Sequence, residues 1–232
     1  MRPLILLSLL FSVTSPLFAQ VNSGLMGIDP KNNFVDNFIS RKNEGTDFNE
    51  ISGSAFLNRE FRNGQIVLRS GKVFTDVQVR FNAYQNEVVA KKDGKLFAID
   101  TAREVSYYDI EGDANSKVVL RSGYPNIGTL SKGTYYQLAA GGKKVHLLKY
   151  VHRRIQVRNV PGYDNMKEFV NSSDWYLFSE KDGIQKIKIN KKQVEAALPS
   201  YAAEIAKATA KFSLNLGKED DLVILVNELD GQ

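Results

Sequence analysis

Val73-Phe74-Thr75-Asp76-Val77-Gln78-Val79-Arg80-Phe81 sets Val73, Thr75, Val77, Val79 and Phe81 against Phe74, Asp76, Gln78 and Arg80 at a period of two. Successive side chains of a strand point to opposite faces, so this alternation predicts a strand with one buried face. Turn signals recur around it: Ser70-Gly71-Lys72, Asp93-Gly94-Lys95, Gly141-Gly142-Lys143 and Asp182-Gly183. Each separates two strand-like runs and reads as a hairpin. Sequential hairpins build an antiparallel meander. From about Ile51 to Asn190 some nine or ten strands are expected, too many for one flat sheet. Val-Leu-Arg-Ser-Gly occurs at 67–71 and again at 119–123, hinting at two related β segments.

Past Asn190 the period lengthens. Asn190 with Gln193 has the spacing of a capping box, opening a helix that runs to Leu198. Pro199 interrupts it. A second helix carries Tyr201, Ile205, Ala208 and Phe212 on one stripe. Glu219, Asp220 and Asp221 suit the positive end of a third helix, whose stripe is Leu222, Leu225, Val226 and Leu229 and which Gly231 closes. The predicted fold is α+β: an antiparallel β-meander, sandwiched or curled into a partly closed barrel, followed by a C-terminal helical segment. Residues 51–232 form the expected domain, β-rich over 51–190 and helical over 191–232.

Met1-Arg2-Pro3 precedes an almost unbroken apolar run from Leu4 to Phe11, the layout of a secretory signal peptide. The run is shorter than the ~20 apolar residues that a membrane span needs. Ala19 is the small residue before the expected cut, so cleavage between Ala19 and Gln20 is expected, with residues 1–19 as the leader. Leu17 is bulkier than usual two places earlier. Residues 20–50 are polar and Asn-rich and read as a mobile extension with a short helix near Phe34 to Ile39. The chain has no cysteine, so no disulfide, lipoprotein anchor or thiolate chemistry is available. The expected location is the periplasm or the cell exterior, with no transmembrane helix in the mature chain.

The block Phe56-Leu57-Asn58-Arg59-Glu60-Phe61, then Gly64-Gln65-Ile66-Val67-Leu68 and Asp76 to Val88, resembles a group of exported proteins of Bacteroidetes-type bacteria. The similarity extends more loosely to Lys91-Lys92-Asp93-Gly94-Lys95, to the glycine hairpin at 142–149 and to the acidic-led helix at 219–229. No activity is assigned to the group. The resemblance implies export and a β-rich fold, and no active site.

Gly-x-Ser-x-Gly, His-Glu-x-x-His and the glycine-rich nucleotide loops are absent, so no catalytic residue, cofactor or metal is assigned. His146 and His152 are six residues apart, about 20 Å along a strand, too far to share a zinc ion. Asp109, Glu111, Asp113 and Asn115 alternate like the first ligands of a calcium loop. However, Gly112 comes two places early and Leu120 stands at position twelve, so a hairpin tip is expected instead.

The charge distribution is more informative. The chain has 31 Lys+Arg against 26 Asp+Glu, a net of +5, too mild to argue nucleic-acid binding. Yet no Asp or Glu occurs from Ala114 to Tyr163, a stretch with nine Lys and Arg. Read as one long strand, 143–158 puts Lys144, His146, His152, Arg154 and Arg158 on one face. That face is the candidate ligand site, for an anionic glycan, lipopolysaccharide or an acidic envelope protein. Tyr107-Tyr108, Tyr135-Tyr136 and Trp175-Tyr176 each put one ring on each side of a strand, and an outward ring could stack on a sugar. The leading expectation is an exported, non-enzymatic binding protein of the cell envelope. A structural or assembly subunit of an envelope complex is the alternative, and a hydrolase of envelope polymers the third. No oligomeric state is assigned.

Overall fold

The protein is represented by a computed structural model in which residues 39–40, 48, 50–160 and 163–231 are described. The leader with its Ala19–Gln20 junction, and most of the extension, lie outside them.

Among the described residues, twelve strands form one sheet: β1 (Ile39–Ser40), β2 (Ile51–Ser52), β3 (Arg62–Leu68), β4 (Val73–Asn82), β5 (Glu87–Lys92), β6 (Lys95–Ile99), β7 (Ala102–Tyr108), β8 (Lys117–Arg121), β9 (Tyr136–Gly141), β10 (Val145–Val160), β11 (Tyr163–Ser179) and β12 (Gly183–Ile187). Helices α1 (Lys191–Ala197), α2 (Ala202–Phe212) and α3 (Glu219–Gly231) follow. The α+β class is therefore as expected, but among the described residues there is no second sheet, which a sandwich needs. Ile39, placed by sequence at the end of a short helix, lies in β1.

The spatial order is β1-β6-β5-β4-β3-β7-β8-β9-β10-β11-β12, antiparallel throughout, with β2 running parallel beside β11. One connection departs from a simple meander. Only Asp100 and Thr101 join β6 to β7, although β5, β4 and β3 lie between them in the ladder. A flat sheet would separate those strands by about 19 Å, and Ile99 to Ala102 spans at most about 11 Å. The sheet must therefore curl until β6 approaches β7. It does not close, since β6 and β7 share no ladder.

The curl encloses the first core, which includes Ile66, Val79, Phe81, Phe97, Ile99, Val105 and Leu120. Tyr135 fills its gap: the hydroxyl donates to Ile99 O at 2.9 Å and lies 3.3 Å from Ala102 O. Asn86 fixes Tyr135 through both backbone groups, at 2.7 and 3.0 Å. The two Val-Leu-Arg-Ser-Gly copies end β3 and β8, on either side of β7, and Leu68 and Leu120 enter the same core. Outside the curl, the Arg80 guanidinium lies 3.5 Å from the Phe56 ring centroid and 4.6 Å from that of Phe61.

Directly paired residues share a face. Leu120 pairs with Gln137, Gln137 with Lys149, Lys149 with Trp175, and Trp175 with Ile187. The face lining the curl thus continues to β12, where the helices cover it. Val145, Leu147 and Leu177 meet Val194, Ile205, Leu222, Leu225 and Val226 there in a second core. The predicted helical stripes hold except at Phe212, which is 43% exposed because α2 ends there and Ser213 turns left-handed. Tyr136, Leu148 and Tyr176 occupy the opposite face and form a third core with Tyr124 and Ile184. Each ring of Tyr135-Tyr136 is thus buried on a different side.

Tyr135→Phe is expected to cost about 1 kcal/mol, since Ala102 O keeps a bond from Ser122 Oγ at 2.8 Å while Ile99 O loses its hydroxyl donor. Urea unfolding should show a lower midpoint at unchanged slope.

Candidate functional site

The alternation that predicts β4 breaks inside it. Gly64 pairs with Val77 and Ile66 with Phe74, so Gln65 faces two residues, Thr75 and Asp76. This is a β-bulge, and Asp76 takes a left-handed conformation with φ of 54°. The extra residue reverses the faces on its far side. Val77, Val79 and Phe81 point into the core as their spacing predicts, whereas Val73 is 48% exposed and Phe74 packs inward.

The bulge opens a cleft of about 340 Å³ over β3, β4, β7 and β8. Asn63, Gln65, Thr75, Asp76, Ser106 and Lys117 supply polar groups, and Tyr108 a ring that is 44% exposed. Gln65 pairs with Ser106 and Tyr108 with Lys117, so strand register sets their spacing. Among the described residues, the side chains of Asn63, Gln65, Thr75, Asp76 and Lys117 bond to no other protein group. They converge on solvent with their donors and acceptors free. Among the described residues, Asp76 is the only carboxylate lining the cleft.

The residues singled out on β10 are placed differently from the cationic face expected of them. Lys144 is exposed in the β9–β10 turn, whose backbone N–H groups at Lys143, Lys144 and Val145 donate to Asp230 Oδ1 at 2.9, 2.6 and 3.2 Å. Burial disfavours the Asp230 carboxylate, but these three donors and His146 outweigh it and hold the group below its ordinary range. His146 is buried, with Nδ1 2.8 Å from the Tyr124 hydroxyl and Phe178 edge-on to its ring. His152 stacks on Tyr150 with centroids 4.9 Å apart. Arg154 is exposed, and Arg158 pairs with Glu168 at 2.6 Å. Lys144 and Arg154 lie about 33 Å apart along the strand, so no small anion bridges them. The five therefore do not form one continuous face: buried His146 and the turn residue Lys144 stand apart from the exposed Arg154 and Arg158.

The calcium-like spacing is a hairpin tip. Asp113 caps a short 3-10 turn, accepting from Asn115 N at 2.9 Å, and Asp109 accepts from Asn58 Nδ2 at 2.8 Å. Sequence reasoning passed over most of the cleft. Its signal was Thr75-Asp76 in mid-strand, two residues ill suited to continuing a core-facing alternation, beside the outward ring of Tyr108.

Comparison with family models, curated proteins and solved structures finds no match.

His146 makes stability depend on pH. Burial, with Arg121 adding to it, lowers the imidazole from its ordinary value of 6.5 to about 4, against the opposing pull of Asp230 and the Gly142 backbone. The unfolded chain then binds more protons than the folded one between these values. Stability is full above pH 6.5 and is lost as pH falls towards 4, by about 2 kcal/mol once screening is allowed for. Denaturation across pH 4–7 should show this slope, and His146→Gln should flatten it.

Proposed function

We propose that this is an exported, non-enzymatic binding protein of the cell envelope, and that its ligand is a glycan held in the cleft beside the β4 bulge. The observation that carries this reading is the pairing of a half-exposed tyrosine with a ring of free polar side chains on rigid strands. A sugar ring has an apolar C–H face and hydroxyls around its rim. Tyr108 suits the first and Asn63, Gln65, Thr75, Asp76 and Ser106 the second. Lys117, the first cation of the acid-free stretch, suits a carboxylate or phosphate on the same glycan. Export rests on the leader, and the group of Bacteroidetes-type exported proteins gives the same location.

The export reading is tested by expressing the full chain in a bacterium and sequencing the mature N-terminus, which should begin at Gln20. A cytoplasmic, uncleaved product would sink it. The binding reading is tested by affinity electrophoresis in gels containing peptidoglycan fragments, lipopolysaccharide or capsular polysaccharide. At least one should retard the wild type. Tyr108→Ala and Gln65→Ala should weaken that retardation about tenfold, the equivalent of about 1.4 kcal/mol each. Arg154→Ser/Arg158→Ser should leave it unchanged. Absence of retardation by every polymer, or equal retardation of Tyr108→Ala and wild type, rejects the cleft as the site.

A further inference from the structure

Among the described residues, the second half of β10 has one edge that no strand pairs with. β9 pairs with β10 only as far as Gln137↔Lys149, whereas β10 continues to Val160. Beyond Lys149, that edge makes one backbone bond among the described residues, from Arg153 N to Ala83 O at 3.1 Å. The N–H and C=O of one residue point to the same edge of a strand, and edges alternate residue by residue. Register with β11 runs unbroken from Val145↔Ser179 to Arg158↔Met166, so the alternation is not reset. The backbone groups of Ile155 and Val157 therefore face outward, as those of Arg153 do. Among the described residues nothing bonds to them.

Such an edge is a template for another strand, and proteins usually blunt it with proline, a bulge or a cover. Among the described residues, the register of β10 with β11 shifts between Arg158 and Val160, past the open groups. Side chains flanking the edge define what can occupy it. Arg154 is exposed with no partner among the described residues, Arg158 is exposed beside Glu168, and Val157 on the other face is 53% exposed. β10 carries Lys149, Arg153, Arg154 and Arg158 and no carboxylate. A second copy pairing edge to edge would set these cations against each other, since like charges directly opposite destabilise a pair. An acidic strand meets them with the opposite sign.

We propose that the outer edge of β10 from Arg153 to Val157 binds an extended acidic peptide segment of a partner protein by strand addition. Backbone pairing to Ile155 and Val157 supplies the affinity, and Arg154 and Arg158 select acidic side chains on one face. This surface is separate from the cleft and does not depend on the glycan reading.

The probe is a labelled nine-residue peptide of alternating Glu and Val, followed by fluorescence anisotropy with the full chain. It should bind, and a Lys-Val analogue should not. Arg154→Ser/Arg158→Ser should weaken binding at least tenfold. N-methylation of alternate peptide residues leaves the protein untouched: methylating the set that faces β10 should abolish binding, and methylating the other set should not. Equal binding of the Lys-Val peptide, or full affinity of both methylated sets, overturns the proposal. So does a sedimentation experiment in which the free protein is a dimer that Arg154→Ser/Arg158→Ser tightens, because a second copy then holds the edge.

Discussion

The two-residue link Asp100-Thr101 is the constraint from which the rest of the architecture follows. It is too short to cross a flat four-strand interval, so it bends the sheet, and the bend creates an inside. Apolar residues of β3 to β8 fill that inside. Because the curl stops short of closure, a gap remains between β6 and β7, and Tyr135 bridges it with its hydroxyl. Seating Tyr135 brings residues 122–135 back across the sheet. That return puts Tyr124, Ile127 and Leu130 over the far face of β9 to β11, which would otherwise be an exposed apolar surface. A local shortage of chain thus organises two of the three cores.

The β4 bulge works on the same sheet in the opposite sense. A curl buries one face and stretches the other, and the extra residue at Thr75-Asp76 lets the stretched face open. Holding Asp76 left-handed costs about 1 kcal/mol, which the flanking buried residues Val77 and Val79 on one side and Ile66 on the other offset. The result is a concave patch whose walls are backbone ladders. Side chains on ladders keep their separations better than side chains on loops, which suits a surface that must match the fixed spacing of hydroxyls on a ligand.

Much of the fold could be read from the chain because its punctuation is local. The four glycine turns lie between the strand pairs their spacing predicts, and Asn190 caps α1 by accepting from Gln193 N at 3.0 Å. Val77, Val79 and Phe81 point inward as alternation requires. What escaped was non-local. Whether ten long strands make a sandwich or one curled sheet depends on which edge β7 joins, and no residue of β7 encodes that alone. The same holds for the basic stripe. His146, His152, Arg154 and Arg158 do lie at even positions of one strand, with Lys144 in the turn before it, but period two says nothing of what covers each position. Tyr124, 22 residues upstream of His146, covers that one and removes it from solvent. The cleft was legible only as an irregularity, since a bulge is an error in a periodic pattern until its partner strand is known.

The β10–β11 arm has a dynamic consequence. From Val151 to Ser173 its two strands pair mainly with each other. They are tied to the body at Arg153 by Ala83 O and Phe56 O, at Lys167 and Glu168 by β2, and at Phe169 by the rings of Phe48 and Tyr84. Among the described residues, none of the three cores includes a residue of this stretch, apart from Phe169's neighbours named above, and Tyr150, just before it, packs against the third core. Amide protons in the arm therefore exchange through a local opening that leaves the curl and the helices intact, while those of β3, β7 and the base of β10 wait for global unfolding. The molecule has two tiers of cooperativity on a single continuous ladder, and the boundary falls near Lys149, where β9 ends.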